Sequence, residues 1–182
     1  NALFPLNDSV YKHLEELFTN LENILSSESS LCYDYEYDRI ISFGELISTT
    51  IISDYLNMEG IENQFIDIRK FLKTDQNYRN ANIDLELSEQ LCKDAFDFNT
   101  SSLFVTQGFI AGTRTNQTTT LGREGSDYTA ALLANLLNAE DVTIWKDVPG
   151  VMNADPKEYE NAQVISRMSY KEAIELSHFG AK

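Results

Sequence analysis

The sequence predicts an α/β fold, a mainly parallel sheet sandwiched by helices, and two observations carry that prediction. Segments of strand and helix character alternate from residue 63 onward, a pattern that lays parallel strands in one sheet and crossover helices on its faces. At 182 residues the chain can also bury a substantial core as one unit. Residues 1–62 read as a mainly helical part and residues 63–182 as the α/β part. No internal repeat, low-complexity tract or linker interrupts them.

The first helix is expected in "NDSVYKHLEELFTNLENILSS", where Val10, Leu14, Leu17, Leu21, Ile24 and Leu25 repeat at the spacing of one helical face. A polar connection, "SSESSLCYDYEYD", leads to "RIISFGELISTTIISDYLNMEG", a nearly uniform apolar run that reads as a buried helix stopped by Gly60. Glu45 inside that run is unusual, because a carboxylate is costly to bury without a cationic partner. Next come a strand in "NQFIDIRKF", a helix in "LSEQLCKDAFDF" and a short strand in "SLFVTQGFIAG". The alternation ends with a helix in "SDYTAALLANLLNA", a strand at the start of "DVTIWKDVPGV", and a helix in "SYKEAIELSHFGA" with Gly180 at its stop. Ligands of open α/β sheets gather beyond the carboxyl ends of the strands, so the loops after Val105 and Ile144 are where a site is expected.

Charge and cysteine usage exclude several functions. Fourteen basic against 29 acidic residues give a formal charge of −15, a field that repels a phosphate backbone, so nucleic acid is not an expected partner. A small anion would need local positive sources such as helix N-termini, placed Arg and Lys side chains, or a divalent metal. Cys32 and Cys92 form no CxxC pair, which suggests neither a disulfide framework nor a zinc site and fits a reducing cytoplasm. No apolar run approaches the ~20 residues that span a bilayer, and "NALFPLNDSV" lacks a basic segment ahead of an apolar one.

"TTTLGREGSDYTAALLANLL" carries the most local chemistry. Its glycines follow neither GxGxxG nor GxxxxGK[ST], so the two best-known nucleotide loops are excluded. Ser126 is placed to N-cap the helix, Gly122 and Gly125 to let the backbone approach a ligand, and the first-turn N–H groups to face it. The plain alternative is a capped helix after a turn, with Asp127 favourable to the dipole.

Taken together, "SFGELIST", "VTQGFIAG", "TTTLGREGSDYTAALLA", "IWKDVPGVMNADPK" and "MSYKEAIELSHFGAK" occur in the order found in the aspartate kinases of the amino acid kinase superfamily, which the chain closely resembles from about Leu14 to its last residue. The resemblance implies the amino acid kinase fold, incomplete at both ends, and transfer of the ATP γ-phosphoryl group to the β-carboxylate of L-aspartate, with ATP and Mg2+ as cofactors. It implies that Arg123 holds the substrate α-carboxylate, for which a guanidinium fork is well shaped. Glu45 would receive the substrate ammonium, Gly125 and Ser126 would line the substrate, Phe109 would wall its pocket, and Asp127 would organise lysines at the transferring phosphate. Lys146, Asp147, Met152 and Lys157 take the nucleotide-contacting positions, and Lys182 that of a phosphate-binding lysine. Relatives often carry threonine, tyrosine and arginine where Lys146, Met152 and Lys157 stand, and glycine where Glu124 stands. His13 and His178 are assigned no chemical role. The family begins with a strand and a K-F-G-G-T loop and continues into regulatory ACT domains, through which the parent would be a homo-oligomer. The chain is thus expected to be an internal piece of a cytoplasmic enzyme, inactive alone. Another phosphotransferase of the superfamily, or a non-catalytic fragment that keeps the fold, are the alternatives.

Overall fold

In the computed structural model, which describes residues 9–30, 32–147 and 149–178, two helices precede the first strand. Helix α1, Ser9–Ser26, buries Val10 and half-buries Leu14, Leu17, Leu21 and Ile24 along one stripe, as its spacing predicts, while Leu25 is exposed. Helix α2, Tyr33–Met58, starts inside the stretch expected to be a polar connection. Asp34 and Glu36 in its first turn complement the helix dipole, and Glu36 accepts the Ser30 N–H at 2.9 Å, so the tyrosine-rich segment is a competent helix start. Gly60 ends α2 as expected: it takes φ +79°, and the Ile61 N–H reaches back to the Leu56 carbonyl at 2.8 Å.

The expectation that α2 is buried all round is corrected. Only the face of Asp38, Ser42, Phe43, Leu46, Thr50 and Ser53 is buried, while Ile40, Ile41 and Ile52 are exposed. An apolar run does not reveal which stripe a sheet covers. Here the covered stripe is the one with small hydroxyl residues, which bond locally, as Ser42 does to the Arg39 carbonyl, and permit close approach.

The strands are shorter than the sequence suggests. β1, Gln64–Ile66, gives way at once to a 3-10 turn, Ile68–Lys70, capped by Asp67; β2 is Lys73–Thr74, and α3, Leu85–Ala95, is capped by Asp84 on the Leu87 N–H. "SLFVTQGFIAG" is two strands rather than one: β3, Phe104–Thr106, pairs in parallel with β1, and β4, Ile110–Thr113, joins another sheet. The break is physical. Phe109 has φ +69° and the Ile110 N–H donates to the Gly108 carbonyl at 2.8 Å, a γ-turn of the rarer, positive-φ kind. β4 lies between β2, parallel to it, and β5, Thr118–Thr120, antiparallel. Helix α4, Gly125–Leu136, follows. Phe43, Leu46, Ile66, Ile68, Ile110 and Leu132 share one hydrophobic cluster that joins α2, both sheets and α4. Cys92 is buried in the same cluster and its thiol is pushed up to about 11 by that burial, whereas Cys32 is exposed; neither is in a disulfide.

The chain divides into two compact units, Asn1–Val142 and Thr143–Lys182. In the second, the strand expected at the start of "DVTIWKDVPGV" does not form: residues 141–147 pair with no strand, and Trp145 is 90% exposed. β-propensity expresses packing on a pleated surface, so without a ladder partner it produces no strand. The unit is held by the Met152↔Val164 bridge and by helix α5, Tyr170–His178, where Ser169 and Glu172 bond one another reciprocally as a capping box. Gly180 lies outside the described residues. Among the described residues no helix is long and apolar enough to cross a membrane.

Candidate functional site

The loop between β5 and α4 is built by backbone geometry. Gly122 has φ +77°, and a Cβ there would come within 2.6 Å of Asn80 Oδ1. Glu124 occupies the N-cap position of α4 with φ +56°, and its side chain makes no capping bond. The N-cap position expected for Ser126 is therefore corrected: it is an exposed first-turn residue, displaced from the cap because the chain reverses through the left-handed Glu124. That conformation favours glycine over a residue with a side chain.

The loop that follows β3 packs directly on this helix start. A Cβ on Gly125 would fall 2.7 Å from the Phe109 ring, and one on Gly108 would fall 2.9 Å from Ser126 Cα. Thr129 Oγ1 accepts the Phe109 N–H at 3.0 Å and donates to the Gly125 carbonyl at 2.8 Å, while the Leu121 N–H donates to the Phe109 carbonyl at 2.9 Å. The structure thus brings Phe109, Gly125 and Ser126 together, with Phe109 in a strained turn seated on the first turn of α4.

Glu45 is half-buried on α2, and burial raises its carboxyl above the ordinary range. Among the described residues no cationic side chain lies within ion-pair distance of it. Its turn of helix is tied to the Phe109 loop by Gln107, which is fully buried: Gln107 Oε1 accepts the Ile68 N–H at 3.0 Å and Nε2 donates to Thr49 Oγ1 at 2.9 Å. Thr49 in turn donates to the Glu45 carbonyl at 2.6 Å. Arg123 is almost wholly exposed and meets Glu124 only at 3.8 Å, and Asp127 is half-buried in the first turn of α4. Sequence reading passed over Gln107, although a polar side chain between a strand and a glycine was a signal that it serves as a buried link. It also passed over Asp38, which is fully buried and accepts three hydrogen bonds.

The expected nucleotide positions fall in the second unit. Lys146, Asp147 and Lys157 are exposed, and Met152 is half-buried at its bridge to Val164. The Lys157 N–H bonds Asp155 Oδ1 at 2.9 Å, and the Asn153 N–H and Ile165 N–H pair with the Gln163 and Val151 carbonyls, giving the segment a hairpin-like backbone. Lys182 lies outside the described residues. Cavities of about 530 and 390 Å3 open elsewhere in the first unit, beside Asp84 and Arg114 and beside His13 and Asp54, and neither is lined by the 121–127 loop. No group of three His, Cys, Asp or Glu side chains placed to hold a metal stands among the described residues.

Comparison with known proteins gives a consistent result. The model of a family described as "Amino acid kinase family" matches residues 7–182. Lysine-sensitive aspartokinase 3 of Escherichia coli (strain K12) is 36% identical over 174 residues, 95% of this chain and 39% of the relative. The bifunctional aspartokinase/homoserine dehydrogenase of Buchnera aphidicola is 35% identical over 182 residues, 98% of this chain and 22% of the relative. Among solved structures, E. coli aspartokinase III in complex with aspartate and ADP superposes with a TM-score of 0.86 at 34% identity, covering 95% of this chain and 39% of that one. The aspartate kinase of Clostridium acetobutylicum gives 0.71 at 30% identity over 94% of this chain and 35% of that one. The chain therefore spans well under half the length of the relatives it matches.

Proposed function

The chain belongs to the amino acid kinase family, and from that premise we propose that the protein of which it is part transfers the γ-phosphoryl group of ATP to the β-carboxylate of L-aspartate. The product is 4-phospho-L-aspartate, the first step toward lysine, threonine and methionine. The observation that carries this reading is Glu45, a half-buried carboxylate without a cationic partner among the described residues, on a helical turn that Gln107 and Thr49 fix to the Phe109 loop. A substrate ammonium supplies the missing charge.

The nucleophile is already an anion at neutral pH, so no general base is needed, and the barrier lies in bringing a carboxylate up to a triphosphate. Positioning and local positive charge must supply the catalysis. Arg123, exposed and held only loosely by Glu124, takes the α-carboxylate; Gly125 and Ser126 line the substrate, and Phe109 walls it. Asp127 organises the lysines at the phosphate, and Lys182 binds that phosphate. Lys146, Asp147, Met152 and Lys157 contact the nucleotide, largely through backbone. Mg2+ would enter with the nucleotide and supply positive charge that eases the approach of a carboxylate to the triphosphate. We place the parent protein in the cytoplasm as a homo-oligomer, with aspartate and MgATP as its partners and no role for nucleic acid.

The test is an ATP-dependent acyl phosphate assay on the full-length protein, trapped with hydroxylamine, comparing aspartate, glutamate and N-acetylglutamate. Aspartate-dependent hydroxamate is expected; product with another acceptor alone would overturn the assignment.

A further inference from the structure

We propose that Asp38 is a positioning residue that sets the placement of Arg123, a role that rests on the reading of Arg123 as the substrate carboxylate's partner. Asp38 lies on α2, fully buried. Its Oδ2 accepts the backbone N–H groups of Arg79 and Thr120, each at 2.8 Å, and its Oδ1 accepts the Thr120 hydroxyl at 2.7 Å. Thr120 is the last residue of β5, an edge strand, and pairs there with Ile110. An unpaired edge group inside a protein is costly, so the outer side of Thr120 must be satisfied from elsewhere. Asp38 takes its N–H, and the Ala81 N–H donates to its carbonyl at 3.0 Å.

The same carboxyl group also fixes what lies beneath the next loop residue. Arg79 has φ +66°, a left-handed conformation held by its N–H bond to Asp38. Its guanidinium is turned toward the start of α2, 3.2 Å from Asp34 and 4.7 Å from the Tyr37 ring centroid. Asn80 Oδ1 and the Arg79 carbonyl then lie against the open face of Gly122, 2.6 and 3.2 Å from where a Cβ would stand. One side chain thus anchors both the strand end that leads into the loop and the turn that supports Gly122, immediately before Arg123.

The test uses the full-length protein with Asp38→Ala, Asp38→Asn and Thr120→Val. Asp38→Ala orphans two buried N–H groups, and we expect it to raise the aspartate KM at least ~10-fold with the ATP KM held within about twofold. In the same variant, amide exchange of residues 120–125 should rise at least ~10-fold while α1 is unchanged. Asp38→Asn can keep its oxygen on both N–H groups and donate from Nδ2 to Thr120 Oγ1, so it should restore both readouts to within about threefold. If Asp38→Ala does not fold, Thr120→Val, which removes only the hydroxyl bond, should give the same one-sided effect at about two- to fivefold. An unchanged aspartate KM in a folded Asp38→Ala or Thr120→Val protein would overturn the proposal, as would equal rises in both KM values with exchange increased throughout the chain. If the wild type makes no aspartate-dependent product, the substrate reading fails by itself, and localised exchange at 120–125 still decides whether Asp38 places the loop.

Discussion

The 121–127 loop and the 144–157 segment both fall within the stretch that matches the family model, yet their structures differ in kind. The first is clamped. Glycines at 108, 122 and 125 leave no room for a Cβ, Thr129 bridges the Phe109 and Gly125 backbones, Gln107 ties the Ile68 N–H to the Thr49 hydroxyl, and Asp38 anchors the approaching strand. The second presents Lys146, Asp147 and Lys157 to solvent, forms no strand over residues 141–147, and relies on one isolated bridge at Met152. The difference teaches that a motif specifies chemistry, whereas buried polar links and close backbone crossings specify geometry. On the proposed assignment, a loop that orients a small zwitterion needs side chains held in place, and a segment that meets a nucleotide through its backbone would tolerate exchanged side chains.

The comparison breaks first at Arg123. In the full-length protein, Arg123→Ala should raise the aspartate KM by at least ~30-fold, the loss expected of a charge-assisted bidentate pair at ~2 kcal/mol, with the ATP KM nearly unchanged. Lys157→Ala, in the exposed segment, should move the ATP KM by less than about threefold. Steady-state kinetics with each substrate varied would show whether the asymmetry is real; similar effects from both would erase it.

Glu45 sharpens the contrast through pH. Burial raises its carboxyl, so the native chain holds that proton more firmly than the unfolded chain does. Below the ordinary carboxylate value the group is protonated in both states and costs nothing. As pH rises through that value and up to the raised one, the native state loses stability. Glu45→Gln should remove this loss, so its urea midpoint should gain on the wild type as pH is raised from acid to neutral. Over the same range the wild-type aspartate KM should fall as Glu45 ionises, while the Gln variant stays weak and pH-independent. A wild-type profile as flat as the variant's would remove Glu45 from the ammonium site.

Two glycine substitutions give smaller effects of opposite sign. Gly125→Ala drives a Cβ to 2.7 Å from the Phe109 ring and 3.2 Å from its Cα, and overpacking of this kind should cost about 1–3 kcal/mol by denaturant unfolding. Gly44 is exposed inside α2 and a Cβ there would meet nothing within 4 Å. Gly44→Ala should therefore stabilise the fold by about 0.5–1 kcal/mol. A neutral Gly125→Ala would show that the crossing with Phe109 has room the geometry does not reveal.

Much of this was legible in the sequence because local patterns decide local structure. The apolar stripe of α1, the left-handed stop at Gly60 and the helix after the glycine loop follow from periodicity and from the conformational freedom of glycine. Glu45 stood out as a carboxylate on an apolar helix, whereas the roles expected of Arg123, Gly125 and Asp127 came from the resemblance to the aspartate kinases. Not visible were, among others, which face of α2 is covered, the division of "SLFVTQGFIAG" into two strands at a γ-turn, and the shift of the helix cap from Ser126 to Glu124. The first two depend on partners distant in sequence. The face of α2 is chosen by the strands beneath it, and Phe109 is held in its turn by Thr129.

By itself the sequence determined that the helices exist and what chemistry single residues can offer, because propensity, periodicity and charge are properties of neighbouring residues. The tertiary structure alone decided which polar groups lose water together. Asp38 meets Thr120 across 82 positions of chain and Gln107 meets Thr49 across 58. A buried hydrogen bond must be satisfied wherever the fold brings its partner, and no local pattern records where that will be.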